Sequence, residues 1–283
     1  MRNLLRFGVA TGAALTAIGL AGAGVAEPAV RIEHAVAQVT VIPEDRSDVE
    51  VTITRTNSHY PLRVTREGDQ VLVDGDLTFS SAYCHNNLLG KTRVSVFGRP
   101  SVDIGTMPAV VVHTPRMAVV RAGGAVFGAV GRGAGLDLAN SGCGDWTVAN
   151  QSGPLHADIS GSGNLRAGDA AEVALRVAGS ADTWLHAAHG GLQSHISGSG
   201  DVHADEVDGP LTVYVSGSGD VRVRGGSVGT MDVAIAGSGD VNFGGVAQSL
   251  NARVAGSGDV HVAQVTGEVT RRVAGSGDVV VGH

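Results

Sequence analysis

The chain has 283 residues, 43 of them glycine, with 4% aromatic content and a formal net charge of −7. Side chains this small leave a broad globular core short of volume but suit a narrow interior, and the length fits one elongated domain with a preceding module. The acidic balance argues against a nucleic-acid partner.

The first residues read as a secretory signal. Arg2 and Arg6 form a basic start, an apolar stretch runs from Phe7 to about Leu20, and Gly24-Val25-Ala26 offers a small-x-small cleavage site. Residues 1–26 are expected to be removed. The rival reading is an uncleaved anchor, but the stretch is rich in glycine and alanine and barely long enough to span. Cleavage leaves 18 basic against 27 acidic side chains, a net charge of −9. No later segment reaches transmembrane length. The expectation is an exported protein in the periplasm, on the outer-membrane surface or outside the cell, with no membrane span after cleavage.

Residues 27–118 alternate apolar and polar in short runs, which predicts strands at Gln38–Ile42, Val49–Arg55, Leu62–Thr65, Gln70–Val73, Thr92–Phe97 and Ala109–His113. Ser80–Lys91 reads as an irregular loop and contains Cys84. A solenoid needs its end strands covered, so this module is expected to supply irregular first coils and a cap. Cys84 and Cys143 are the two cysteines. In an oxidising compartment they could pin this module to an early coil; spacing alone leaves two unpaired thiols equally open.

Residues 119–283 are built on a repeated corner, Ser/Ala-Gly-Ser-Gly-Asp flanked by apolar residues. Its clearest turn pairs are Gly198 and Gly200, Gly217 and Gly219, Gly237 and Gly239, Gly256 and Gly258, and Gly275 and Gly277. Another clear copy begins at Gly161 and degenerate ones at Gly142 and Gly179, and successive starts from Gly142 to Gly275 are 18 to 20 residues apart. A fixed period of this size marks stacked repeats, none able to bury its apolar face alone. Six and two residues before each corner the chain is apolar, as at Leu192 and Ile196 or Leu211 and Val215, with polar residues between. Four and six residues after it the pattern recurs, as at Val221 and Val223. That is the period of two of a half-buried strand, and paired glycines would break a helix. The reading is all-β: a single-stranded parallel β-helix of about eight regular coils over 123–283, with an irregular N-terminal β cap. Equivalent residues then stack about 4.8 Å apart, and the corner suits backbone that only glycine tolerates.

With the repeat placed, the chain resembles the bacterial auto-transporter adhesin head domain family, the head GIN domain. The carrying features are the lead-in Val110-Val111-Val112-His113-Thr114-Pro115-Arg116-Met117-Ala118-Val119-Val120, then Ser-Gly-Ser-Gly-Asp-Val at 197–202 and 216–221 and Ala-Gly-Ser-Gly-Asp-Val at 236–241, 255–260 and 274–279. The resemblance implies a secreted β-helix of the right-handed, three-sided kind and an adhesive role. It brings no catalytic residues.

The corner aspartates form a column: Asp145, Asp182, Asp201, Asp220, Asp240, Asp259 and Asp278, with Asn164 in one place. Carboxylates about 4.8 Å apart repel by about 0.9 kcal/mol even in bulk water. Cation binding by Asp201, Asp220, Asp240, Asp259 and Asp278 would offset this. The preferred reading is structural, each side chain accepting backbone N–H bonds as short polar residues do in turns, with Arg166, His203, Arg222 and His261 on the same face. A calcium-binding nonapeptide roll fits poorly, since each coil carries one motif and not two. His186, His189, His195 and His203 lack the converging spacing zinc requires. No cofactor is expected.

Parallel β-helices also serve enzymes that cleave acidic polysaccharides, and under that alternative the outward column Arg176, His195, Tyr214, Arg253 and Arg272 would be the sugar-binding face. No long loop interrupts the coils to build a cleft, and no nucleophile elbow or phosphate loop is present. The leading function is therefore a non-catalytic envelope protein binding a cell-surface glycan or protein. The alternatives are a polysaccharide-active enzyme and a purely structural module. The final strand Val279–Val281 carries no charge of its own and is expected to offer an edge for self-association or docking.

Overall fold

The computed structural model describes residues 27–77, 82–86 and 92–282. The expected signal segment, 1–26, lies outside the described residues.

Alternation sets each strand. In Leu192–Gly198 the side chains of Leu192, Ser194 and Ile196 point inward, while Gln193 and Ser197 face solvent. This strand pairs in parallel with Gly209–Gly217, matching Leu192 with Leu211, Ile196 with Val215 and Gly198 with Gly217. The same register continues through Val173–Gly179, Ser227–Gly237, Val241–Gly256 and Val269–Gly275. A second parallel stack follows the corner and aligns Thr183, Val202, Val221, Val241, Val260 and Val279. The molecule is the parallel β-solenoid that the period implied, with about nine turns where about eight regular coils were expected over 123–283.

Its core is a stack of small apolar layers. Leu192, Ile196, Val202, Leu211, Val215, Val221, Ile235, Val241, Val254 and Val260 are each at most 2% exposed. Each such burial contributes about 1.5–3 kcal/mol before chain entropy is counted against it. Asn140 breaks the apolar rule at the place Ile196 holds in its own coil. It is 1% exposed, and its Nδ2 donates to the Gly144 carbonyl 2.9 Å away. Val273, the same place in the last described coil, is 44% exposed.

The parallel ladder starts well before the repeated corner. Ala29–Glu44 pairs in parallel with Met117–Val130, Val30 opposite Val120 and Ala37 opposite Val126. The register shifts between Ile32 and Ala35, where His34 adopts φ 50°. The other edge of Ala29–Glu44 carries Gln70–Asp74 and Ala109–Pro115, also parallel. Antiparallel strands Arg63–Glu67 and Glu50–Arg55 then cover those two, so the open ladder of the first coil is covered by antiparallel pairing.

A small sheet stands beside this end: Ala82–Asn86, Thr92–Val96 and Val102–Asp103, all antiparallel. Part of the expected Ser80–Lys91 loop is thus strand. The sheet packs Val94, Val96 and Val102 with Tyr60, Met107 and Phe127 in a core of its own. A disulfide between Cys84 and Cys143, Cα atoms 5.8 Å apart, ties the sheet to the first glycine corner.

Candidate functional site

Each corner works through two different glycines. The first is left-handed: Gly198, Gly217, Gly237, Gly256 and Gly275 have φ between 136° and 147°, where side chains are strained. The second, Gly200, Gly219, Gly239, Gly258 or Gly277, is packed flat against the coil before it. A Cβ on Gly219 would stand 2.2 Å from the Gly200 carbonyl oxygen.

The aspartates that follow form a hydrogen-bonded ladder. The Asp201 Oδ1 accepts the backbone N–H of Asp220 at 2.8 Å, Asp220 accepts that of Asp240 at 2.8 Å, and Asp240 that of Asp259 at 2.8 Å. Asp259 accepts the N–H of Asp278 at 2.8 Å, and the Asp278 Oδ1 accepts that of Val279 at 2.7 Å. Asn164 fills its place identically, taking the Asp182 N–H at 2.9 Å through its amide oxygen. An uncharged side chain doing the same work identifies the bond, and not the charge, as the common element. Among the described residues no three His, Cys, Asp or Glu side chains converge as a metal site.

The histidines fall on different surfaces. His186 Nδ1 meets Asp169 Oδ1 at 2.5 Å, and this carboxylate raises the imidazole pKa above its ordinary value through a hydrogen bond and charge attraction. His203 stacks on Trp184, ring centroids 6.0 Å apart, and the Arg166 guanidinium lies 4.5 Å over the other side of the same indole. Trp184 was not singled out from sequence. The available signal was its outward place in the column Arg166, Trp184, His203, Arg222.

The other sheet carries an open groove of about 1070 Å³. Its walls include Arg176, His195, Tyr214, Arg253, Arg271 and Arg272, and its floor the small outward residues Ala178, Ser197, Ser216, Ala236, Ala255 and Ala274. Period-two alternation puts Arg176, His195, Tyr214, Arg253 and Arg272 on one face with the floor residues, one per coil, while Arg271 continues the inward column of Val233 and Ala252 and is exposed in the last described coil. The His195 and Tyr214 rings lie 4.6 Å apart at a 34° tilt. No carboxylate lines the groove. Asp158 precedes Arg176 in register, but among the described residues Arg176, Arg253, Arg271 and Arg272 make no ion pair. The arginines near the other end do: Arg46 with Glu44, Asp48 and Glu50, Arg93 with Asp103, Arg116 with Asp45, and Arg121 with Asp137. Within an acidic chain the groove is thus an unneutralised basic stripe with an aromatic centre.

Residues 191–282 match the family model described as "putative auto-transporter adhesin, head GIN domain", so the resemblance seen in the corner repeats holds over that segment. No curated protein matches the chain. Two crystal structures from Parabacteroides distasonis share the fold. One, a "putative lipid binding protein", has 16% identity and a TM-score of 0.52 over 89% of this chain and 92% of its own. The other, a "putative adhesin", has 16% identity and a TM-score of 0.52 over 89% of this chain and 91% of its own. Among the described residues no helix is long and apolar enough to cross a membrane.

Proposed function

We propose that the chain is an exported, non-catalytic, adhesin-like protein whose arginine-lined sheet face grips a cell-surface polymer. The observation that carries this is the groove itself: four arginines without ion pairs, an aromatic pair between them, and no carboxylate in the lining. Stacked guanidiniums about one coil apart repel by about 0.9 kcal/mol even at the dielectric of water. A ligand that brings negative charge relieves that repulsion, and an extended one matches a stripe that crosses several coils. The adhesin description of the family matched by residues 191–282 supports the same role, and so does the adhesin neighbour.

Catalysis on acidic polysaccharide needs an acid and a base poised over one bond. The groove offers His195, Tyr214 and arginines but no carboxylate, and the His195 and Tyr214 rings are stacked on each other at 4.6 Å and not opposed across a gap, which favours holding a polymer over cutting it. A glycan array run beside a turnover assay on acidic polysaccharides tests the proposal. The expected result is retention without cleavage. Reproducible cleavage that disappears in Arg253→Gln or Arg272→Gln would overturn it in favour of an enzyme.

A further inference from the structure

The outward column of the groove reads Arg176, His195, Tyr214, Ala234, Arg253 and Arg272, one residue per coil in continuous register. Five of these side chains are long. Ala234 is the exception, and it follows the exposed tyrosine.

The His195 and Tyr214 ring centroids are 4.6 Å apart with a modest tilt, close to the coil spacing of about 4.8 Å. The rings are therefore stacked along the solenoid axis. One face of Tyr214 rests on His195, and its other face looks across Ala234 toward Arg253. Those two residues are two coils apart, about 9.6 Å. A ring that touches both flanking groups at carbon contact distance uses about 7–8 Å of that. The gap admits one ring and excludes two.

We infer that the gap over Ala234 is a subsite for a single uronic-acid ring of an anionic glycan. Its C–H face lies on Tyr214, its carboxylate meets Arg253, and its glycosidic bonds, which leave in the plane of the ring, lead the polymer out of the slot on its open side. This rests on the polymer-binding reading of the face and assigns it a charged sugar. Charge directs the orientation. Arg253, Arg271 and Arg272 have no ion-pair partner among the described residues. Asp232, on the same outward face two residues before Ala234, is tied to Asn251 Nδ2 at 2.8 Å and turns an anion toward the arginine side. Tyr214 is 43% exposed, with ring surface to offer.

The test is calorimetric titration of galacturonic-acid hexamer into the wild type and into Ala234→Leu, Ala234→Ser, Tyr214→Ala and Arg253→Gln. Maltohexaose serves as the neutral control and phosphatidylglycerol vesicles as the lipid control. Position 234 faces outward, so the leucine fills the gap without entering the core, and an unchanged melting curve verifies that. The acidic hexamer should bind wild type and Ala234→Ser alike, and lose about tenfold or more in affinity with Ala234→Leu, Tyr214→Ala and Arg253→Gln. Wild-type affinity in Ala234→Leu alongside loss in Arg253→Gln would overturn the subsite and leave the face as a binding surface. Equal binding of maltohexaose would overturn the charged sugar. Binding of the vesicles with no binding of either hexamer would overturn both the subsite and the glycan reading.

Discussion

Replacing Gly219 with alanine isolates what the corner does, because it adds one methyl group to a coil in the middle of the stack. Gly219 is not left-handed, so the substitution acts through contact and not through backbone strain. The new Cβ would stand 2.2 Å from the Gly200 carbonyl oxygen and 2.9 Å from Ile196 Cγ2. Ordinary contact needs about 1 Å more. The two coils must separate locally, and the bonds that cross the gap there are Ser218 N–H to the Gly198 carbonyl at 2.9 Å and Asp220 N–H to Asp201 Oδ1 at 2.8 Å. Two weakened bonds cost about 1 kcal/mol each, and overpacking adds about 1–3 kcal/mol. The sum is about 3–5 kcal/mol. For a domain of this size each kcal/mol lowers the melting temperature by about 2–4 °C, so thermal unfolding followed by far-ultraviolet circular dichroism should fall by about 6–20 °C. Ser218→Ala, on the exposed tip of the same corner, is the control and should melt like the wild type. A Gly219→Ala protein with wild-type melting would refute the claim that coil-to-coil contact fixes the second glycine.

Asp220→Asn keeps an acceptor for the Asp240 N–H and should leave stability unchanged in urea titration, whereas Asp220→Ala strands that donor and should cost about 1 kcal/mol. Breaking the disulfide with Cys84→Ser and Cys143→Ser opens a loop spanning 59 residues, worth about 4 kcal/mol in the chain-entropy picture; hydrogen exchange should quicken in the small sheet first, and unchanged protection there would count against this. His186 gains a partner in the folded state, so its pKa is raised. The resulting stabilisation is fully present below the unfolded histidine pKa and fades as pH rises through the folded one. An NMR titration should place the His186 midpoint above that of an ordinary histidine, and Asp169→Asn should bring it back; an unmoved midpoint would contradict the pairing.

The interior was legible from sequence because two periods coincide. Alternation of two picks the inward residues within a strand, and the corner interval stacks them, so Ile196, Val215 and Ile235 could be placed together without coordinates. Residues 29–37 were not legible. The register break at His34 interrupts alternation, and no corner motif marks that coil. The strand Ala82–Asn86 was hidden for another reason: its sequence, Ala-Tyr-Cys-His-Asn, lacks the apolar alternation that marked its partner Thr92–Val96 in the same sheet. The two glycines of a corner look alike in sequence, yet only the first is left-handed and only the second is held by contact alone. The outward column Arg176, His195, Tyr214, Arg253 and Arg272 could be read from spacing. Ala234 could not, since a small residue among long ones becomes a gap only once ring stacking and coil spacing are known.

The most direct test of the account is the binding of polygalacturonate to the wild type and to a variant with Arg176, Arg253, Arg271 and Arg272 all changed to glutamine, measured across salt concentration. Arg176, Arg253 and Arg272 face outward and Arg271 is exposed in the last described coil, so the variant should fold and melt normally. The account predicts that the wild type binds, that its affinity falls as salt rises, and that the variant does not bind. Equal binding by the two proteins, or wild-type binding indifferent to salt, would contradict it.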